Sequence, residues 1–168
     1  MRLLLRSIIV LILSAIASIL LRPPCVQAQS AAAAAASAPR STSITAADSA
    51  AIRAAALDYI DGWYAADGPR MTRALHPELA KRNVTTDSLG RSRLFQMSAM
   101  TLVNGTRSGG GSQIPADRRR DEVIILDAYA GAASVRVTAA TWVDYMHLAK
   151  FNGRWVIVNV LWENEPRG

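Results

Sequence analysis

The sequence predicts an α+β domain, with amphipathic helices first and a strongly curved antiparallel sheet after them. Three observations carry this. Apolar residues recur at helical spacing from Ile52 to Val103. From Glu122 onward the chain is rich in β-formers that alternate in polarity. Asn152-Gly153, set between two such runs, marks a tight hairpin. The length of 168 residues suffices for one domain and excludes two separate cores or an eight-fold α/β barrel.

The N-terminus reads as an export signal over residues 1–28. Arg2 and Arg6 supply positive charge, residues 7–21 form an uncharged run of 15, and Pro23-Pro24 break any helix. Val26-Gln27-Ala28 then offers small residues where a signal peptidase reads, so the mature chain is expected to begin near Gln29. The run is shorter than the roughly 20 apolar residues a membrane span needs. An uncleaved anchor over residues 3–21 is the alternative; otherwise no stable membrane insertion follows signal removal. Loss of Arg2, Arg6 and Arg22 halves the net charge from +6 to +3, which removes the case for a nucleic-acid partner. Cys25, the one cysteine, falls on the removed side, so no thiol or disulfide chemistry is expected.

Residues 29–44 contain six consecutive alanines and no large apolar side chain before Ile44, and read as a flexible linker. The folded domain is expected over residues 45–168. Thr45 with Asp48 starts the first helix, and Ile52, Ala56, Tyr59, Ile60 and Trp63 make one apolar stripe. Asp58 and Asp61 lie off that stripe, and Asp61 faces solvent with a capping or intersubunit use. Gly68-Pro69 opens a short second helix with Met71 and Leu75 inward, stopped at His76-Pro77. Ser98 caps a third, whose apolar residues are Met100, Leu102 and Val103, and Gly109-Gly110-Gly111 ends it.

In the sheet, residues 122–129 and 132–150 are read as two strands joined at Ala130-Gly131, the second long and uninterrupted. The Asn-Gly turn pairs Phe151 with Arg154, and hence His147 with Val158, Tyr145 with Val160 and Val143 with Trp162. The first turn likewise sets Leu126 against Val135 and Ile124 against Val137. Odd positions then face the core: Val135, Val137, Ala139, Thr141, Val143, Tyr145, His147 and Ala149. The opposite face carries Trp142, Met146, Leu148, Trp155, Ile157 and Leu161, too apolar for water. Either another element of the chain or a second subunit must cover it. With no unassigned segment long and apolar enough, a homodimer through it is expected.

Tyr59-Ile60-Asp61-Gly62-Trp63-Tyr64 with Leu75-His76-Pro77, Met97-Ser98-Ala99 and the runs 143–149 and 152–162 resemble the putative lumazine-binding family. That family belongs to the nuclear-transport-factor-2-like superfamily, with the SnoaL-like cyclases and ketosteroid isomerase. The resemblance covers residues 46–163 and implies a cone-shaped fold, three helices on a curved sheet, with a pocket at its open end. By the register above, Tyr145, His147 and Thr141 face that pocket, with His76, Tyr59 and Trp63 contributed by the helices. The reading is an exported small-molecule-binding or accessory domain for an unknown ligand. The alternative is an isomerase, cyclase or dehydratase with His147 or His76 as general base and Tyr145 donating to an oxyanion. Each of these residues also has an ordinary use in a core.

No metal is expected, because His76 and His147 would need Asp144, which lies on the face opposite His147. No cofactor is expected either: Gly109-Gly110-Gly111 lacks the following lysine of a phosphate loop and follows a helix. Arginine outnumbers lysine seventeen to two, which fits a GC-rich coding genome.

Overall fold

The computed structural model describes residues 43–166. The signal peptide expected over 1–28 and all but the end of the linker lie outside the described residues. Helix α1 (Ala46–Ala65) starts as its first residues dictate. The Thr45 hydroxyl accepts from the Asp48 N–H at 3.0 Å while the Asp48 carboxylate accepts from the Thr45 N–H at 3.3 Å. Helix α2 (Gly68–Ala74) is capped by Asp67, whose side chain accepts from the Arg70 N–H at 2.9 Å. Arg70 and Arg73 reach back to α1, donating to Asp58 at 2.9 and 2.7 Å, and Arg70 donates to Asp61 at 2.6 Å. Asp61 is thus half-buried and spent on fastening two helices together.

Two strands then follow that the sequence reading did not contain: β1 (Leu75–Thr86) and β2 (Ser92–Ser98). After α3 (Ala99–Arg107) and a short 3₁₀ turn (Ala116–Arg118) come β3 (Glu122–Tyr129), β4 (Ala132–Thr138), β5 (Trp142–Phe151) and β6 (Arg154–Asn164). Ser98 caps α3 as expected, but Met100 points outward and only Leu102 and Val103 of the expected trio are buried. The six strands form one unclosed sheet in the order β2-β1-β6-β5-β4-β3. β1 runs parallel to β6, so the sheet is mixed rather than antiparallel throughout. Pro77 sits where the β1–β6 register shifts, between Leu75 and Ala80, consistent with a residue that cannot donate to the ladder.

Both hairpin turns form, with Ala130 and Asn152 at positive φ (51° and 48°). Beyond them the register departs from the simple count three times. Residues 139–141 reverse the chain, with the Ala139 N–H donating to the Trp142 carbonyl at 2.9 Å, so the expected long strand is a β4–β5 hairpin pairing Thr138 with Val143. A shift beside Leu126 sets Ile125, not Leu126, against Val135, and Val123 against Val137. A third shift, at Val158, pairs His147 with Asn159 and Tyr145 with Leu161. Each extra residue turns the following side chains to the other face.

The consequence is that β4 buries odd positions and β5 buries even ones. Met146, Leu148, Trp155 and Ile157, expected on a dimer face, are fully inside the core, and Trp142 packs against it. Helix α1 lies against β3, β4 and β6 and supplies the cover that a second subunit was expected to give. Of that expected patch only Leu161 is outside, at 51% exposure. The apolar face that called for a homodimer is the protein's own interior.

Candidate functional site

Between the helices and the concave side of the sheet lies a cavity of ≈ 310 Å³. Tyr59 and Trp63 reach it from α1, Leu102 from α3, Lys81 from β1, Met97 from β2, Trp142 from β5, and Trp162 and Asn164 from β6. Its wall is mainly aromatic and aliphatic, with a few polar groups, the usual make-up of a small-molecule site.

Beneath that wall is a buried polar cluster centred on Asp144, which is wholly inaccessible (0% exposed). Lys81, 5% exposed, pairs with Asp144 Oδ1. Asp144 Oδ2 accepts from the Tyr59 hydroxyl at 3.1 Å and from the Trp142 indole N–H at 2.8 Å. Lys81 Nζ also donates to the Tyr59 oxygen at 2.6 Å, and lies 5.3 Å from the Tyr59 ring centre and 5.2 Å from that of Trp162. Every member has partners, which is what lets a charge pair persist in an apolar interior. Burial pushes the Lys81 ammonium pKa down against the opposing pull of Asp144. Burial, reinforced by the Asp144 charge, pushes the Tyr59 phenol well up. One buried donor in the wall, Trp162 Nε1, has no acceptor among the described residues.

The Gly109-Gly110-Gly111 loop shapes this wall. The Gly111 N–H donates to the Trp63 carbonyl at 2.9 Å. A Cβ at Gly111 would lie 2.6 Å from the Trp63 indole, and one at Gly110 would lie 2.6 Å from the Trp63 carbonyl oxygen. Gly110 and Gly111 therefore serve close approach to Trp63, an aromatic residue of the cavity.

Of the residues singled out in the sequence, Tyr59 and Trp63 line the cavity and the other four do not. Tyr145 is 49% exposed on the convex face, because the 139–141 reversal flips β5. His147 is exposed on that same face, its Nδ1 3.2 Å from Asn159 Nδ2. His76, at the start of β1, stacks on Phe151 with ring centres 4.4 Å apart, and its Nδ1 accepts from the Glu78 N–H at 3.2 Å. Thr141 borders a separate cleft with Asn164, Glu165 and Pro166. The residues missed were Lys81, Asp144, Trp142 and Trp162 as members of one site. One signal for them existed: Asp144 is the lone acid within the stripe Trp142, Met146, Leu148. Among the described residues no three His, Cys, Asp or Glu side chains gather to hold a metal ion, and no helix is long and apolar enough to cross a membrane.

Comparison with known proteins agrees with this architecture. A search of curated proteins finds no match. Solved structures similar to the chain include a nuclear-transport-factor-2-like protein of unknown function from Methylobacillus flagellatus KT, 20% identical, covering 76% of this chain and all of that one, with a TM-score of 0.62. Another, from Shewanella baltica OS155, is 19% identical over 74% of this chain and all of its own, with a TM-score of 0.56. At such identities the likeness establishes the fold alone. The model of the putative lumazine-binding family matches residues 47–163, nearly every described residue, and the chain belongs to that family.

Proposed function

We propose that the domain is an exported binding or accessory module that holds a small ring-shaped molecule in the Trp63–Trp142–Trp162 cavity. The observation that carries this is the wall itself: three indoles around ≈ 310 Å³, with the Lys81–Asp144 charge pair beside it internally neutralised. Indoles give large contact area at little conformational cost, and a cavity near the lower end of the usual range suits a one- or two-ring ligand. The family's description names lumazine, a fused-ring compound, in keeping with that size. The run of Arg2, Arg6 and residues 7–28 supports export.

The enzymatic alternative rested on a histidine base, and neither His76 nor His147 borders the cavity. That placement supports binding without turnover. Native mass spectrometry of protein purified from its host is expected to find one small molecule per chain, released on denaturation. Tryptophan fluorescence should respond when a bicyclic aromatic compound is added to ligand-free protein. No response across a panel of one- and two-ring compounds would overturn the assignment. N-terminal sequencing is expected to start near Gln29, and a start at Met1 would favour the anchor.

A further inference from the structure

We propose that Lys81 captures an aromatic aldehyde or ketone as an imine inside this cavity. The inference rests on the cavity being a small-molecule site and names a class of compound that would react there. Lys81 is a primary amine in the wall, flanked by the Tyr59 and Trp162 rings and paired with a wholly buried carboxylate. An ammonium held there loses most of its hydration, which disfavours its charged form. Burial outweighs the pull of Asp144 on the Lys81 proton, which favours the neutral, nucleophilic amine.

The groups needed for the condensation are already in contact. Asp144 takes a proton from Nζ, and Nζ attacks the carbonyl carbon, breaking its π bond. The second Nζ proton passes to the new alkoxide with the Tyr59 hydroxyl as relay, giving a neutral carbinolamine. Asp144 returns its proton to the carbinolamine oxygen, the C–O bond breaks and water leaves. The product is a protonated imine facing the Asp144 carboxylate, so the pair ends with the charges it began with. One water is released and no oxidant or reductant is consumed. The indoles of Trp63, Trp142 and Trp162 would hold the conjugated ring.

The chain's two lysines make the test self-controlled, since Lys150 is exposed on the β5–β6 hairpin. The purified protein is incubated at neutral pH with 2-naphthaldehyde and sodium cyanoborohydride, which reduces an imine to a stable secondary amine. Peptide mapping then locates the naphthylmethyl group. Lys81 is expected to be labelled faster than Lys150 by on the order of tenfold or more. Lys81→Arg keeps a cation beside Asp144 and cannot form the adduct, so the cavity-directed label should vanish while far-ultraviolet circular dichroism is unchanged. Labelling of Lys150 as fast as Lys81 overturns the imine. In parallel, 2-methylnaphthalene, which cannot condense, is titrated against tryptophan fluorescence. Binding of it without Lys81 labelling defeats the imine and leaves the binding site standing; absence of both defeats the two together.

Discussion

The two lysines occupy matched settings with opposite burial. Each pairs with an aspartate, and each aspartate also accepts a tryptophan indole N–H: Trp142 on Asp144 at 2.8 Å, Trp155 on Asp48 at 2.9 Å. At the surface, Lys150 donates to Asp48 at 2.6 Å, and the cluster ties the N-cap of α1 to the β5–β6 hairpin. In the interior, Lys81 and Asp144 line or underlie the cavity. The chemistry of the contacts is the same, so the difference in consequence comes from solvent. Water screens the outer pair and can replace either partner. Nothing replaces a partner in the inner one, where a single deletion leaves a bare charge.

The largest effect should follow removal of the inner carboxylate. Asp144→Asn leaves Lys81 without its counter-charge and weakens the acceptor for Tyr59 and Trp142. The expected loss is about 3–5 kcal/mol in urea unfolding, or failure to fold. Lys150→Ala should cost a small fraction of that. Equal losses at the two sites would abolish the contrast.

Next in size is Gly111→Ala. Its Cβ would press on the Trp63 indole at 2.6 Å and on Tyr64 at 3.1 Å, so either the loop or the indole must move. A cost of about 1–3 kcal/mol is expected, as for overpacked interiors. Weaker binding of bicyclic probes should accompany it, while the Asp48 cluster is left intact. Unchanged probe affinity would mean that Trp63 is not a working part of the wall.

The outer cluster should reveal itself through pH. Lys150 first, then Trp155 and Thr45, hold the Asp48 carboxyl below its ordinary 3.8. A carboxyl whose pKa is lower in the folded state adds stability above its unfolded pKa and forfeits it as pH falls through the folded one. The melting temperature of the wild type should therefore drop more steeply than that of Asp48→Asn as pH falls below about 4. Parallel curves would remove Asp48 from the acid limb.

Much of this architecture was legible in the residues, and the failures have a common cause. Thr45 with Asp48, Ser98, Ala130-Gly131 and Asn152-Gly153 announce their structures through local hydrogen bonds and positive φ, which need no tertiary context. The reversal at Ala139-Ala140-Thr141 and the shifts at Leu126 and Val158 carry no glycine or proline, so counting ran straight through them. In β1, the Pro77 break and the inward Lys81 and Asn83 hid the alternation that a strand normally displays. A strand face that lines a polar-edged cavity does not look like a core face. That is why the site went unread although two of its residues, Tyr59 and Trp63, were named.

The smallest expected effect is the most pointed test of the register. His147 and Tyr145 sit on the convex face of β5, one residue either side of the buried Met146 and across the sheet from the cavity. With the 139–141 reversal and the shift at Val158, His147→Ala removes only a surface contact with Asn159. Its stability should lie within about 0.5 kcal/mol of the wild type. The affinity for 2-methylnaphthalene and the rate of Lys81 labelling should be unchanged. A single residue of slip along β5 would reverse all of this, turning His147 inward and Asp144 outward. In that case His147→Ala would impair probe binding and Asp144→Asn would be nearly silent. The two variants together therefore decide which face of β5 meets the ligand.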